Sequence, residues 1–585
     1  MPLTAQALAS WSLPTALLRG PAAAAARELR HHLGRFGVPV RSAGEVEIVA
    51  GDSATDGFSL ELSATRLTVR GDNPRGCLNG VYWLLEQLGF AWVEPGEGGS
   101  RFVPSRQLTE GRYRQEPAFA RRTLILGNDA LHDAWPVWLE WASRNRLNDI
   151  FFHDTPPSRL HRGPALRPTT AGEIASDGGG WMFERWDTDS AAIRGAAADA
   201  GMSIQFGGHH LPALLERDLF ATNPEWFPLR NGARDARYNF CVSHEGAVAH
   251  LRQSARAFFQ RFGGADIYHL WADDIRGGGW CECGGCAAMS PSDQALFANN
   301  ILAEVLAEAA PGARIAHLAY HDTLLPPSLV RPRDNVSLLF APRERCYAHA
   351  IDDADCERNV PQYWTPFRDL LPLFGNDPAR VDIFEYYSDA VLFKWLAPPL
   401  LSVQPADAAA YARARAGGLQ DLAVSPRPWL GPPLHAWWMA HCAWDPAAQV
   451  DAALSQFCTA AYPAHSHQMA DYYGDQDRAY RLILDLHDLA PARRRDVLDF
   501  SNQPPETMHT KVAELAEAAA LLGQLHERIR GLNAVDLSGE LQQAELVWRL
   551  AEHLAHRMAG WELSLSGGDS AARAGHLAAA TARLQ

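Results

Sequence analysis

Between residues 117 and 435, eight short apolar runs alternate with stretches of helical periodicity. The runs are Arg122–Leu126, Asp149–Phe152, Ser203–Phe206, Ile267–Trp271, Arg314–Tyr320, Val336–Phe340, Val381–Tyr387 and Asp421–Val424. Runs this short, bounded by turn residues, read as strands rather than buried helices. Strands separated by helices pair in parallel through right-handed crossovers. Eight of them close into a barrel, so the expected fold is α/β, a (β/α)8 TIM barrel over residues 116–435.

The flanks read differently. In residues 1–115, Glu45–Ala50, Phe58–Ser63 and Arg66–Arg70 alternate apolar and polar positions, as half-buried antiparallel strands do. Gly76–Gly89 is apolar at helical spacing and closes on a glycine. A small α+β domain is expected there. From residue 436 to 585 the chain is rich in Ala and Leu with helical periodicity, as in Lys511–Arg530 and Glu540–Arg557, which predicts a C-terminal helical domain.

Charge excludes some partners. The 53 Lys and Arg stand against 68 Asp and Glu, a formal charge of −15 spread along the chain. Nucleic acid and anionic membrane both call for basic patches, so neither is an expected partner. No apolar run approaches the roughly 18–20 residues that span a bilayer. No Lys or Arg precedes Arg19, so the basic start of a secretory signal is missing and a cytoplasmic location is expected. The Ala22–Ala26 run is the one segment that resembles a cleavage site, which leaves a periplasmic or secreted location as the alternative. Nine cysteines without regular spacing do not form a disulfide framework.

The strand-end rule of barrel enzymes directs attention to Ile267–Cys286. Here an apolar run ends at Trp271, two adjacent carboxylates follow at Asp273 and Asp274, then Arg276, three glycines and Cys281, Cys283 and Cys286. Side chains alternate along a strand, so neighbouring acids converge on one ligand only where the strand has ended and the backbone turns. The glycines permit that turn. A solvated Asp-Asp turn beside a buried Trp is the other reading of the same residues.

Two segments carry a family resemblance. Gly76–Gly96 is similar to the helix of the α/β domain that precedes the barrel in family 20 hexosaminidases and family 67 α-glucuronidases. Trp271–Cys286, with Cys241 upstream, resembles a bacterial group of glycoside-hydrolase-like barrels known as a domain of unknown function. Trp444-Asp445 and the Tyr472-Tyr473 helix resemble the helical part of the same proteins. Adjacent acids at a strand end are also found in the hexosaminidases of families 20, 84 and 123, where the substrate's own 2-acetamido group is the nucleophile.

The resemblance implies an exo-acting, retaining β-N-acetylhexosaminidase, with terminal β-N-acetylgalactosamine favoured, working through an oxazolinium intermediate. Asp273 would orient the acetamido group and Asp274 would be the general acid/base. Because no carboxylate bonds to the sugar, the separations of ordinary glycosidase pairs do not apply. Family 20 has Glu in the second position, so the roles are less firmly fixed than the pair.

Other strand ends supply expected pocket walls. Gly207 and Gly208 would allow close approach of a sugar, with His209 and His210 as hydrogen-bonding partners and Trp271 beneath. Tyr320 and His321 end the fifth strand, Tyr387 the seventh, and Trp429 follows the eighth. By resemblance Tyr387 would hold the acetamido oxygen and Trp429 would floor the pocket, although core packing is the alternative for each. Asn128 and Arg276 are further candidates for hydroxyls, or a turn and an ion-pair partner of the acids respectively.

Catalysis requires no cofactor on this reading. Cys281, Cys283 and Cys286 have ligand spacing, and Cys241 is the fourth candidate for a structural zinc. Buried thiols or a disulfide are the alternatives. Cys346 and Cys356 lie in a polar loop whose spacing carries no signal. The expected partner is a glycan with a terminal 2-acetamido sugar, and the expected assembly a homodimer. Two other functions fit the same residues. An α-glucuronidase would need basic residues such as Arg276 and Lys394 in the pocket, and a non-catalytic carbohydrate-binding barrel would need none of the acid chemistry.

Overall fold

The computed structural model describes residues 2–13, 18–36, 44–104, 106–154, 181–236, 239–274, 279–393, 397–424, 431–484, 505–565 and 568–583. Its centre is a closed barrel of Arg121–Leu126, Asp149–His153, Ser203–Gly208, Ile267–Leu270, Arg314–Ala319, Val336–Phe340, Val381–Glu385 and Gly418–Ala423. All neighbouring pairs are parallel. These are the eight expected strands. Their apolar runs are continuous because helices cover the outside while packed side chains fill the inside.

The interior is partly polar. Gln205 Oε1 lies 2.7 Å from His269 Nε2, and Gln205 Nε2 donates to Asp149 at 3.0 Å. Burial pushes Asp149 up to about 7 and Asp421 likewise to about 7. Phe151 stacks on the same His269 at 4.0 Å between centroids.

Four strands, Glu45–Ala50, Phe58–Leu62, Arg66–Gly71 and Gly111–Gln115, form a separate sheet under helix Pro74–Gln87. The helix begins as its sequence dictates: Asn73 caps it by accepting from the Gly76 N–H, and Pro74 occupies the first turn. Glu45–Ala50 pairs parallel with Arg66–Gly71, where antiparallel strands were expected. Alternation reports that one face is buried and does not fix the direction of the neighbour.

This region packs against the beginning of the barrel's first two strands. Arg122, buried, reaches out of the first strand to Asp56 at 2.8 Å and lies over the Trp444 ring at 5.1 Å. Asn148 donates to the same Asp56 oxygen at 2.7 Å. Arg75 donates to Ser143 Oγ and to the Leu147 carbonyl. These contacts fasten the N-terminal region to the start of the first strand and to the segment that leads into the second.

Helices dominate the chain after the barrel: Leu434–Trp444, Val450–Ala461, Ser466–Leu484, and a long pair, Pro505–Leu532 and Ser538–Leu565. Tyr462 ties the last of these back by donating to Glu540 at 2.7 Å. Among the described residues no helix is long and apolar enough to cross a membrane.

Candidate active site

The fourth strand ends at Leu270, so Asp273 and Asp274 lie in the loop beyond it. Asp273 lines a cleft of about 440 Å³ with His209, Trp271, Trp280, Tyr320 and His321. Its backbone is fixed by its N–H, which donates to Asn239 Oδ1 at 2.8 Å. Behind it stands Arg217, a buried guanidinium whose charge Asp273 and Asp235 support against the cost of burial. Arg217 in turn donates to the Asn239 carbonyl at 3.3 Å.

Asp274 stands beside a histidine held by a second acid. His321 Nε2 is 3.9 Å from Asp274 Oδ1, and Nδ1 is 3.2 Å from Glu344 Oε2. The His321 side chain is only 6% exposed, whereas that of Asp274 is 31% exposed. His321 also has φ +49°, a left-handed backbone rarely held by a non-glycine residue. Strain of this kind concentrates at functional sites. Tyr320 lies against the His321 ring, with centroids 3.6 Å apart.

Trp271 forms the cleft's floor. It is packed edge-on to His209 and His269, and its buried Nε1 has no hydrogen-bonding partner. Beneath it His153 is pushed down to about 3 by burial and by neighbouring histidines, so it is neutral at working pH. One residue before Glu344, Arg343 pairs with Asp389 at 3.0 Å and lies over the Tyr386 ring at 5.6 Å.

The expected site residues divide into three groups. Asp273, His209, Trp271, Tyr320 and His321 line the cleft, and Asp274 adjoins it. His209 is positioned by the Ala272 carbonyl, 2.6 Å from Nδ1. His210 and Tyr387 lie elsewhere. His210 is buried between Phe206 and Phe258, with Nε2 3.1 Å from the Asp154 carbonyl, because the backbone turns beyond the strand's end at Gly208. Tyr387 donates its hydroxyl to Asp407 at 2.9 Å within a buried ionic cluster. Asn128 precedes helix Asp129–Asp133 at the end of the first strand and is not part of the cleft wall. Arg276, Trp429 and Lys394 lie outside the described residues.

The barrel wall itself requires glycine at 207 and 208. A Cβ on Gly207, at φ +122°, would come within 2.1 Å of the His269 carbonyl oxygen, and one on Gly208 within 2.2 Å of the Asp154 oxygen. Sequence reasoning missed Glu344, Arg343, Arg217 and Asn239. Of these, Arg343 and Glu344 sit just past a strand end and were open to the same rule that singled out the acids.

The four expected cysteines converge. The Sγ atoms of Cys241, Cys281, Cys283 and Cys286 all lie within 4.8 Å of one another. Cys241 Sγ is 3.6 Å from Cys283 Sγ and 3.9 Å from Cys286 Sγ, and no disulfide joins them. The Leu229 N–H donates to Cys281 Sγ at 3.4 Å, while Gln294 holds both the N–H and the carbonyl of Cys281. The cluster flanks the acid loop on both sides: Cys241 follows Asn239 by two residues, and Cys281 follows Trp280 of the cleft wall.

The fold is shared with solved carbohydrate-active enzymes. The chain is similar to a GH138 enzyme targeting pectin rhamnogalacturonan II, at 10% identity and TM-score 0.59 over 93% of this chain and 69% of that one. It is similar to BtGH115A, a GH115 4-O-methyl-α-glucuronidase with specificity for decorated arabinogalactans, at 12% identity and TM-score 0.54 over 98% and 75%. CpGH84B aligns at 10% identity and TM-score 0.50 over 98% and 92%. Identities this low show a common fold. A search of curated proteins finds no match. Residues 104–475, well over half of the chain, match the family described as a domain of unknown function (DUF4838), and the chain belongs to that family.

Proposed function

We propose that this protein is a glycoside hydrolase, and specifically an exo-acting, retaining β-N-acetylhexosaminidase that removes terminal 2-acetamido sugars, β-N-acetylgalactosamine foremost. The observation that carries the reading is the acid pair at the open end of the barrel, with Asp274 next to His321 and His321 next to Glu344. A proton donor to a glycosidic oxygen has to be reachable by substrate and held by its neighbours, and Asp274 meets both requirements. In the proposed reaction Asp273 orients the acetamido N–H, whose carbonyl oxygen attacks the anomeric carbon. Asp274 protonates the departing oxygen and then takes a proton from the water that opens the oxazolinium. Trp271 and Tyr320 supply the apolar faces against which a sugar ring packs.

A panel of nitrophenyl glycosides tests the substrate class. Turnover is expected for 2-acetamido sugars and at most trace turnover for glucuronides and simple hexosides. The reverse order would favour an acidic sugar, with Arg343 exchanging Asp389 for the substrate carboxylate.

The cysteine cluster supports a structural zinc. A tetrahedral ion with Zn–S bonds of about 2.3 Å sets its sulfurs about 3.8 Å apart; Cys241 lies 3.6 and 3.9 Å from Cys283 and Cys286, and all four sulfurs are within 4.8 Å of one another. With four thiolates no open position remains, so the ion would hold the loops and take no part in catalysis. Cys283→Ser should lose one equivalent of zinc and lower the melting temperature. Unchanged metal content in a folded Cys283→Ser protein would contradict the assignment.

A further inference from the structure

The loop after the sixth barrel strand assembles a second set of metal-ligand atoms, which sequence spacing did not reveal. Cys346 Sγ, a ring nitrogen of His349 and Cys356 Sγ all lie within 4.8 Å of one another. His349 Nδ1 is 3.3 Å from Cys346 Sγ. Tetrahedral zinc with ordinary Zn–N and Zn–S bonds places such a pair about 3.5 Å apart. The two cysteines are buried and are not joined as a disulfide, while His349 is half-buried.

One buried side chain builds this arrangement. Asn359 Oδ1 accepts from the Cys346 N–H at 2.8 Å, and its Nδ2 donates to the carbonyls of Cys346, His349 and Ala350 at 2.9, 3.2 and 3.0 Å. Its own N–H donates to Cys356 Sγ at 3.3 Å. The loop is thus closed upon itself so that three soft donors face one point. An N–H aimed at sulfur suits a thiolate, the form in which cysteine binds metal.

We propose that Cys346, His349 and Cys356 bind a thiophilic divalent cation, zinc by the chemistry of the donors, with water completing the coordination on the half-exposed histidine side. The ion would act as a clamp on the segment that carries Glu344 and Arg345. Glu344 faces His321 in the cleft, and Arg345 holds the buried carboxylates of Glu385 and Asp407. The proposal stands on the loop alone and is independent of which sugar the cleft accepts and of the four-cysteine cluster.

Metal content of the full chain, purified without added zinc, provides the test. His349→Ala should carry one equivalent less than the unaltered protein, and His349→Cys, which restores a third soft donor, should retain it. Equal zinc in His349→Ala and the unaltered protein would overturn the proposal. If His349→Ala does not fold, crystals of the unaltered protein decide the question through anomalous scattering at the zinc edge. A peak among Cys346, His349 and Cys356 is expected. No peak there, or continuous density joining the two sulfurs as a disulfide, would overturn it.

Discussion

The fourth and seventh barrel strands both end in acids and aromatic residues, yet the protein uses them in opposite ways. Beyond the fourth, Asp274 keeps 31% of its side chain in solvent, and a ring nitrogen of His321 lies 3.9 Å from it. At the seventh, Glu385 is buried and both carboxylate oxygens are engaged, by Tyr411 at 2.6 Å and by Arg345 and Tyr347 at 3.4 Å. Tyr387 and Arg345 then complete Asp407, which also accepts from the Ile351 N–H. A buried charge is tolerated only when paired and hydrogen-bonded. The seventh strand end meets that condition within the protein, so it braces the barrel. On the proposed function, the fourth, with Asp274 part-exposed, is the end that a substrate reaches.

If this contrast is right, two substitutions should separate cleanly. Asp274→Asn should lower turnover of substrates with poor leaving groups by about 10²–10⁴-fold, the usual contribution of general acid catalysis. Loss on nitrophenolate should be much smaller, because that group departs without a proton. Stability should barely change. Asp407→Ala should do the reverse, costing about 3–5 kcal/mol of stability by removing one of the two carboxylates that pair the buried Arg345 while the protein that remains folded keeps its rate. Denaturant melts and steady-state kinetics on both variants check the pair. A stability loss for Asp274→Asn as large as that for Asp407→Ala would erase the distinction between the two strand ends.

A smaller effect appears in pH dependence. Burial pushes Asp421 up to about 7, although Ser388 donates to it through both N–H and hydroxyl. In the unfolded chain an aspartate titrates near about 3.9. Between those values the folded protein holds a proton that the unfolded chain has lost. Stability from this group is therefore complete below about pH 4, declines as pH rises, and is gone above about pH 7, with a slope of up to about 1.4 kcal/mol per pH unit. Asp421→Asn, neutral throughout, should lose that part of the slope. Stability curves from pH 4 to 8 that are parallel for the two proteins would show that Asp421 is ionised in the fold.

The same contrast explains what could be read from the sequence. The eight strands were legible because burial on both faces leaves continuous apolar runs, and the acid pair was legible because a strand end, glycines and carboxylates coincide in one segment. What escaped depends on partners remote in the chain. Tyr387 reads as a pocket residue until Asp407 arrives from the following helix, and His210 as a twin of His209 until the backbone turns it toward Phe258. His321 was visible, but Glu344, its second neighbour, comes from another strand end. The parallel pairing of Glu45–Ala50 leaves no mark on its own alternation. Cys346, His349 and Cys356 have no recognisable spacing, since it is Asn359 that gathers them.

The most direct test of the account concerns the nucleophile. Substrate-assisted catalysis makes the acetamido oxygen attack the anomeric carbon, so its basicity should control the rate. Replacing the acetyl hydrogens stepwise by fluorine withdraws electrons from that oxygen and barely alters its size. Turnover of the nitrophenyl 2-acetamido sugar should fall steeply with each fluorine, and the released sugar should keep its anomeric configuration. A rate indifferent to fluorine, or an inverted product, would mean that water or a protein carboxylate attacks directly. The roles proposed for Asp273 and Asp274 would then be wrong.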